Sequence, residues 1–305
     1  MTVVRTSHLT IRALHTFDEF RQVMALEGEI WGYGDPEDAV GIPMFVITLK
    51  RGGILLGAFD RGRLVAFVYS IAGIKDGQPM QWSHMLGVLP EYRGTGVGRD
   101  LKLEQRRVAI EMGLDLMEWT YDPLQAVNAH LNFRRLGVTV DDYVENVYGE
   151  SSSVLHRGNP TDRFIAQWWM RAPRVEQAIV ARDETATGTV SRGESWDGAP
   201  LVNVVGPRGR WVGCESVTLG SEAPWLTVAI PGGFTEMLTG DPELATAWRF
   251  ATREIFNHYL PRGYRVVDFE FHADRQHGRY LLTTTDQREE PVRVMHGGPS
   301  HCDRA

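Results

Sequence analysis

Cysteine is nearly absent from this chain. Of 305 residues two are cysteines, Cys214 and Cys302. They stand far apart, with no partner at metal-ligand spacing, so neither a disulfide framework nor a bound metal is expected, and a reducing, cytoplasmic setting fits. Long apolar runs are missing too. Nothing approaches the roughly 20 apolar residues needed to span a bilayer, and the opening MTVVRTSHLTI lacks the apolar stretch of a secretory leader. No membrane association is expected. Positive charge is outnumbered, 32 Lys and Arg standing against 39 Asp and Glu. The net charge of −7 argues against a nucleic-acid binder, which would carry a basic patch or stripe, but leaves room for a local basic funnel toward an anionic small molecule. No serine or cysteine sits in a recognisable nucleophile motif, which argues against a covalent enzyme intermediate.

What is present is an ordinary globular composition, 43% hydrophobic and 23% charged, over a length that suggests two domains. The first is placed at 1–175 and the second at 176–305, with 181–199 as a polar linker and 287–305 as a loose tail. Hydrophobic periodicity predicts a strand at 9–14 and a helix at 17–30, capped by Thr16 with Glu19 three residues on. A loop at 32–43, a short helix at 45–49 and a hairpin of 54–59 and 64–74 turned at 60–62 come next. Asp76-Gly77 then leads into a strand at 80–88. A helix at 95–112 stopped by Gly113 follows, then a strand at 114–121 broken by Asp122-Pro123, and a helix at 124–136 ended by Gly137. The stretch 141–153 reads as a polar connection, and 153–156 with 163–170 as a closing hairpin. The second half predicts strands at 225–230, 264–271 and 279–284 around a helix at 241–260, with Asp241 as N-cap and Pro242 at N1. These make a smaller α+β unit.

The chain is organised around residues 84–98, HMLGVLPEYRGTGVG. An apolar strand runs into a turn where Gly94, Gly96 and Gly98 open a helix. Glycines there let backbone N–H groups approach an anion with no Cβ in the way, and the unpaired N–H groups at the positive end of the helix favour a phosphate. The spacing is neither that of a dinucleotide fold nor that of a P-loop, because no Lys-Ser or Lys-Thr follows Gly98. A glycine-rich turn that binds nothing is the bland alternative.

Val88-Leu-Pro-Glu-Tyr followed by Arg93-Gly94-Thr95-Gly96-Val97-Gly98 resembles the acetyl-CoA-binding motif of the GNAT superfamily of N-acyltransferases. The stretches WSHMLGV, WTYDPLQAVNAHLNFRRLG, NPTDRF and LATAWRFATREIF are similar to a branch of predicted GNAT acyltransferases with an extra C-terminal region. The resemblance implies a mixed α/β (α+β) fold, with a central, mostly antiparallel sheet that splays open and is flanked by helices. It implies acyl-CoA as co-substrate, with the pantetheine arm inserted between the strands at 80–88 and 114–121. Backbone groups of Leu86, Gly87 and Val88 would then meet the arm, and an N–H near Val88 would polarise the thioester carbonyl. Arg93 would help neutralise the phosphates, unless it is a plain surface arginine. Asn132 is a further candidate contact to the cofactor.

The resemblance fails at one place. Members often carry N-x-x-A-x-x-L-Y-x-x-x-G-F in the helix at 124–136, the Tyr protonating the leaving thiolate. Here Ala129 matches, but Phe133 takes the Tyr position and Ala126 the Asn position. A thiolate is a fair leaving group even unprotonated, since a free thiol has a pKa of about 8.5, but the proton donor is left open among Tyr121, Asn128 and Asn132. His84 is the first candidate base, or else a core histidine. Glu118 is the second, or else a solvated or paired carboxylate. Glu27, Glu29, Trp31 and Tyr33 lie where the family binds its acceptor, with Trp119 on the neighbouring strand; plain packing is the alternative for Trp31 and Tyr33. Asp162-Arg163 reads equally as an ordinary surface pair.

The function expected is transfer of an acetyl or succinyl group from CoA to the amine of a small molecule. Some members are associated with N-acylamino acid racemases, which hints at amino-acid succinylation. The rival expectation is a non-catalytic acyl-CoA-binding or regulatory module. The oligomeric state, a homodimer among the options, is not set by the sequence.

Overall fold

The computed structural model describes residues 9–32, 39–149, 158–181, 196, 198–272 and 276–285. Tyr33, the expected strand 153–156, most of the expected linker and the tail 287–305 lie outside the described residues.

The N-terminal elements follow local rules. After β1 (Thr10–Ala13), α1 (Phe17–Trp31) starts with a complete capping box: Thr16 Oγ1 accepts from the Glu19 N–H, and the Glu19 carboxylate accepts from the Thr16 N–H. Burial works against ionising Glu19, but backbone N–H groups of His15 and Thr16 and the Arg12 guanidinium hold its pKa down at about 2. Helix α2 (Ile42–Leu49) begins three residues before the expected 45–49, because Pro43 sits in the first turn, where its missing N–H costs nothing. The hairpin β2 (Ile54–Asp60) and β3 (Arg63–Lys75) turns at Arg61 and Gly62, both at positive φ, and β3 returns into β4 (Gln78–Val88) through Asp76 and Gly77, also both positive. Paired positive φ values give turns whose twist matches that of the strands.

From β4 the chain crosses by a 3-10 turn (Pro90–Tyr92) and α3 (Val97–Glu111) to β5 (Leu116–Tyr121), which lies parallel to β4. This pairing is short. It joins Gln81 to Met117 and Trp82 to Glu118, and no further register is formed. Next come α4 (Ala126–His130), which runs straight into a π-helical turn over Leu131–Leu136, then β6 (Thr139–Val144) and β7 (Arg163–Trp169). Strand β6 overturns the reading of 141–153 as a connection throughout. Its Thr-Val-Asp-Asp-Tyr-Val sequence hides the pattern because Asp142 falls beside a register shift against β7.

The sheet continues past residue 175. Beyond α5 (Pro173–Val180) and a separate hairpin of β8 (Asn203–Arg208) and β9 (Trp211–Val217) lies β10 (Trp225–Pro231). Helices α6 (Phe234–Gly240) and α7 (Pro242–Tyr259) follow, then β11 (Arg265–His272) and β12 (His277–Thr283). The ten-stranded sheet has the order β1-β2-β3-β4-β5-β7-β6-β11-β12-β10. The expected smaller α+β strands thus extend the first sheet, joined at Val140 and Val266. Neighbouring strands are antiparallel except for β4 and β5. Between 176 and 224 the sequence reading named no element. The Gly206-Pro207 and Gly209-Arg210 steps break the alternation that would announce β8 and β9.

Aromatic rings fasten the two halves together. Phe164 of β7 packs on Phe256 of α7 at 4.5 Å and on Tyr280 of β12 at 5.5 Å, and Tyr143 packs on Phe256 at 5.6 Å. Two ion pairs reinforce this from α7. Arg249 grips Asp122 with both terminal nitrogens, at 2.8 and 2.7 Å, and Arg253 grips Asp162 at 2.8 and 2.7 Å. Asp162 and Arg163 are therefore buried, contrary to the surface-pair reading. NPTDRF and the ATAWRFATREIF part of the last quoted stretch are the two sides of this contact.

A buried ion pair that loses one partner leaves an uncompensated charge. We expect Arg249→Met to lower unfolding stability by roughly 3–5 kcal/mol. Urea denaturation with an unchanged midpoint would contradict the role given to this pair.

Candidate functional site

Where β4 leaves β5, main-chain groups are left over. The Leu89 N–H donates to Val65 O on β3 at 3.1 Å. Strand alternation then turns Gly87 and Met85 toward β3, and Leu86 and Val88 toward the gap. The Arg93 guanidinium Nε donates to Val88 O at 3.2 Å, which fits that outward direction.

A β-bulge lies at the fork. Ser70 pairs with Ser83 and Tyr69 with Met85, so His84 is the extra residue on β4. The bulge breaks alternation and puts Ser83 and His84, one after the other, on the same cavity of about 280 Å³. Leu86, Trp31, Trp119 and Tyr121 also line this cavity, and Asn128, Asn132, Asp122 and Arg163 close its far side.

The glycine turn stands at the open end. Gly94 and Gly96 have φ of 76° and 99°, and Gly96 is the N-cap of α3 with no side chain to cap it. The first intrahelical bond here is Asp100 N–H to Gly96 O at 3.0 Å, so the N–H groups of Val97, Gly98 and Arg99 precede the helical ladder. A Cβ on Gly94 would meet nothing, so the mouth is open; one on Gly98 would sit 3.6 Å from Val88 Cγ2. Thr95 Oγ1 donates to Tyr92 O at 2.7 Å and shapes the turn. Gly87 serves packing: a Cβ there would come within 2.7 Å of Phe67.

The candidate side chains separate in the structure. His84 reaches the cavity edge-on to Tyr69, with ring centroids 6.1 Å apart, and desolvation by the walls lowers its pKa below the ordinary value. The shift favours the neutral imidazole, the form that accepts a proton, and the side chain is exposed at the cavity. Glu118 does not line the cavity: it is buried against Lys75, and burial raises its pKa in spite of that partner. Tyr121 lines the cavity, and burial drives its pKa far up. Asn128 stands exposed at the rim, while Asn132 is buried with its Nδ2 lacking an acceptor among the described residues. Trp31 and Trp119 line the cavity, but Glu27 does not. Glu27 accepts from the Val40 N–H at 3.1 Å, its Oε1 has no partner among the described residues, and burial raises its pKa to about 7.

The missing tyrosine has a structural reason. The Phe133 ring packs on Tyr280 of β12 at 5.8 Å, inside the core shared by the two halves. A hydroxyl there would need a partner in an apolar setting. The π-helical turn at Leu131–Leu136 presents Leu131, Asn132 and Leu136 to the cavity instead.

Among the lining residues given no site role in the sequence are Ser83, Lys102 and Arg163. Lys102 is buried in α3, its Nζ donating to Ser83 Oγ and Gln105 Oε1 at 2.9 Å each and lying 3.7 Å over the Trp119 ring. A signal existed. Gln105 interrupts the 97, 101, 105, 109 ladder of an otherwise apolar helix face, and Lys102 lies one turn before it. Among the described residues, no three of His, Cys, Asp and Glu converge to hold a metal ion, and no helix is long and apolar enough to cross a membrane.

No family model and no curated protein matches the sequence. The chain is similar to several solved structures. One is an acetyltransferase of the GNAT family from Streptococcus pneumoniae, at 17% identity and a TM-score of 0.43, covering 52% of this chain and 98% of that one. Another is Naa50 from Arabidopsis thaliana in complex with a bisubstrate CoA analogue, at 14% identity and 0.42, covering 52% and 97%. A third is the ribosomal-protein-S18-alanine N-acetyltransferase from Escherichia coli, at 16% and 0.40, covering 52% and 92%.

The raised pKa of Glu27 has a direct consequence. A carboxyl whose folded pKa exceeds its unfolded one favours the protonated form in the fold, so its stabilising effect is lost as pH rises from about 4.5 through about 7. We expect Glu27→Gln to flatten the decline in Tm over that window. Parallel wild-type and variant profiles in a calorimetric pH series would refute the assignment.

Proposed function

We propose that this chain is an acyl-CoA-dependent N-acyltransferase that moves an acetyl or succinyl group to the amine of a small molecule. One observation carries the reading: the R-x-x-G-x-G turn opens at the same end of the sheet where β4 and β5 part. The opened helix start offers N–H groups to an anion, the gap offers those of Leu86 and Val88 to an extended amide-bearing arm, and Asn132 offers a buried donor. These groups fit the diphosphate and the pantetheine of CoA. In this reading Arg93, Gly94, Thr95, Gly96, Val97 and Gly98 hold the diphosphate end.

Bound acyl-CoA supplies the activated thioester carbonyl. The chain's own residues do the rest. The Val88 N–H lies on the gap side and stabilises negative charge on the carbonyl oxygen. Neutral His84 takes the proton of the incoming ammonium, and the fork between Trp31 and Trp119 keeps the amine close to its target. With Phe133 turned into the core, the proton for the thiolate comes from Tyr121 or solvent, and Asn128 stabilises the thiolate by a hydrogen bond. Residues 1–175 hold the donor, and 176–305 brace the far side of the cleft through Arg249 and Tyr280, whose hydroxyl donates to Pro123 O at 2.6 Å.

Phe133 also favours a second reading, an acyl-CoA-binding module without catalysis. Thiol release from acetyl- or succinyl-CoA in the presence of an amine panel separates the two, since only the enzyme gives it.

Gly96→Glu is expected to abolish CoA binding in calorimetry, by placing a bulky like charge at a φ of 99° beside the diphosphate; retained micromolar affinity would argue against the cradle. His84→Ala is expected to lower kcat by roughly 10²-fold with CoA affinity preserved, and an unchanged kcat would return His84 to a packing role.

A further inference from the structure

The chain uses almost no lysine. Of its 32 Lys and Arg residues only three, Lys50, Lys75 and Lys102, are lysines. Arginine supplies the cations of the ion pairs that join the two halves, at Arg249 and Arg253. Lys75 is paired with Glu118, and Lys50 is exposed at the end of α2. Lys102 differs from both. It is 2% exposed, and among the described residues no carboxylate lies within ion-pair reach of it; burial alone moves its pKa. The residue type matters here. A guanidinium keeps its proton in a protein, whereas a buried ammonium gives it up, and the free amine is a nucleophile.

Its place in the fold is equally particular. The first turn of α3 lies on the open edge of β4, since a Cβ on Gly98 would sit 3.6 Å from Val88 Cγ2 and 3.7 Å from Leu86 Cδ2. Lys102 follows Gly98 by one helical turn on the same face, so it stands one turn deeper along β4. Its Nζ spans the fork. It donates to Ser83 Oγ of β4 at 2.9 Å and lies 3.7 Å over the Trp119 ring of β5. Leu86, Ser83, Lys102 and Trp119 line one cavity. Desolvation there drives the lysine pKa well down and favours the uncharged amine. Behind it Gln105 accepts from Nζ through Oε1 at 2.9 Å, while Nε2 of the same amide is buried with no acceptor among the described residues. Buried donors are normally bonded. A carbonyl oxygen carried on Nζ would supply an acceptor beside this one.

We propose that Lys102 is a self-acylation site, which takes the acyl group of a bound thioester onto Nζ. The inference rests on the acyltransferase reading, which puts the thioester carbonyl beside the Val88 N–H, against the preceding turn of α3. In the step, the Nζ lone pair forms a bond to the carbonyl carbon and the carbon–sulfur bond breaks. The proton lost from Nζ goes to the departing thiolate. Amine and thioester become amide and thiol, and nothing else is consumed. The product is neutral, so no charge is buried without a partner. It keeps an N–H for Ser83 Oγ and gives Gln105 Nε2 its acceptor.

The test incubates the full chain with acetyl-CoA or succinyl-CoA, separately and with no added amine, and maps acyl groups by peptide mass spectrometry. CoA titration in calorimetry runs alongside. We expect one acyl group on Lys102 from at least one donor, added roughly tenfold or more faster than on the exposed Lys50, because the fork holds amine and thioester together. Gly96→Glu should lose the mark at Lys102 and keep the slow reaction at Lys50. CoA binding with Lys102 unmodified by both donors overturns self-acylation and leaves the acyltransferase reading standing. Acylation of Lys50 at the same rate or faster overturns it too, because that is ordinary surface chemistry. Absence of CoA binding overturns both readings. The wild-type chain alone decides the outcome, so a poorly folding Gly96→Glu leaves the test intact.

Discussion

A sheet that parts in its middle must do something with the backbone groups it exposes. Here β4 and β5 pair over two residue pairs and then separate, and the rest of the site depends on that separation. Each strand is held by a different neighbour. Strand β4 stays with β3 as far as Val88, while Tyr121 of β5 stays with Phe164 of β7. The end of β5 is anchored further by Arg249 on Asp122 and by the Tyr280 hydroxyl on Pro123 O. Closing the gap would mean moving one strand together with its other neighbour and the contacts that anchor it.

The C-terminal half is therefore no appendage. Its strands lengthen the sheet, its aromatic residues fill the core around Phe164, and α7 supplies the cations that hold Asp122 and Asp162. It also accounts for the residue at position 133. Once Tyr280 occupies that side of the turn, an apolar ring is what packs there, and the tyrosine expected at this position from the sequence resemblance has no place to stand.

Much of this was legible in the sequence where local chemistry decides. The capping box at Thr16 and Glu19, the turns at 61–62 and 76–77, and the glycine-rich start of α3 each follow from residues close together in the chain. What escaped was decided at a distance. Strand β6 is polar along much of its length and is defined by its neighbours β7 and β11. The bulge at His84 leaves no mark in the strand's own alternation, yet it decides that Ser83 and His84 share the cavity. Glu118 reads as well as any carboxylate for a base until Lys75, 43 positions away, is seen beside it. Lys102 was the one missed residue with a local trace, the polar break in the α3 ladder at Gln105.

The account's central claim is that the open edge of β4 and the first turn of α3 receive one extended anionic ligand. Amide hydrogen exchange with and without CoA addresses it most directly. The account predicts slowed exchange at Leu86 and Val88 and at Val97 and Gly98, with β10 and β12 unchanged. Unaltered exchange at these four amides on a protein saturated with CoA would contradict it.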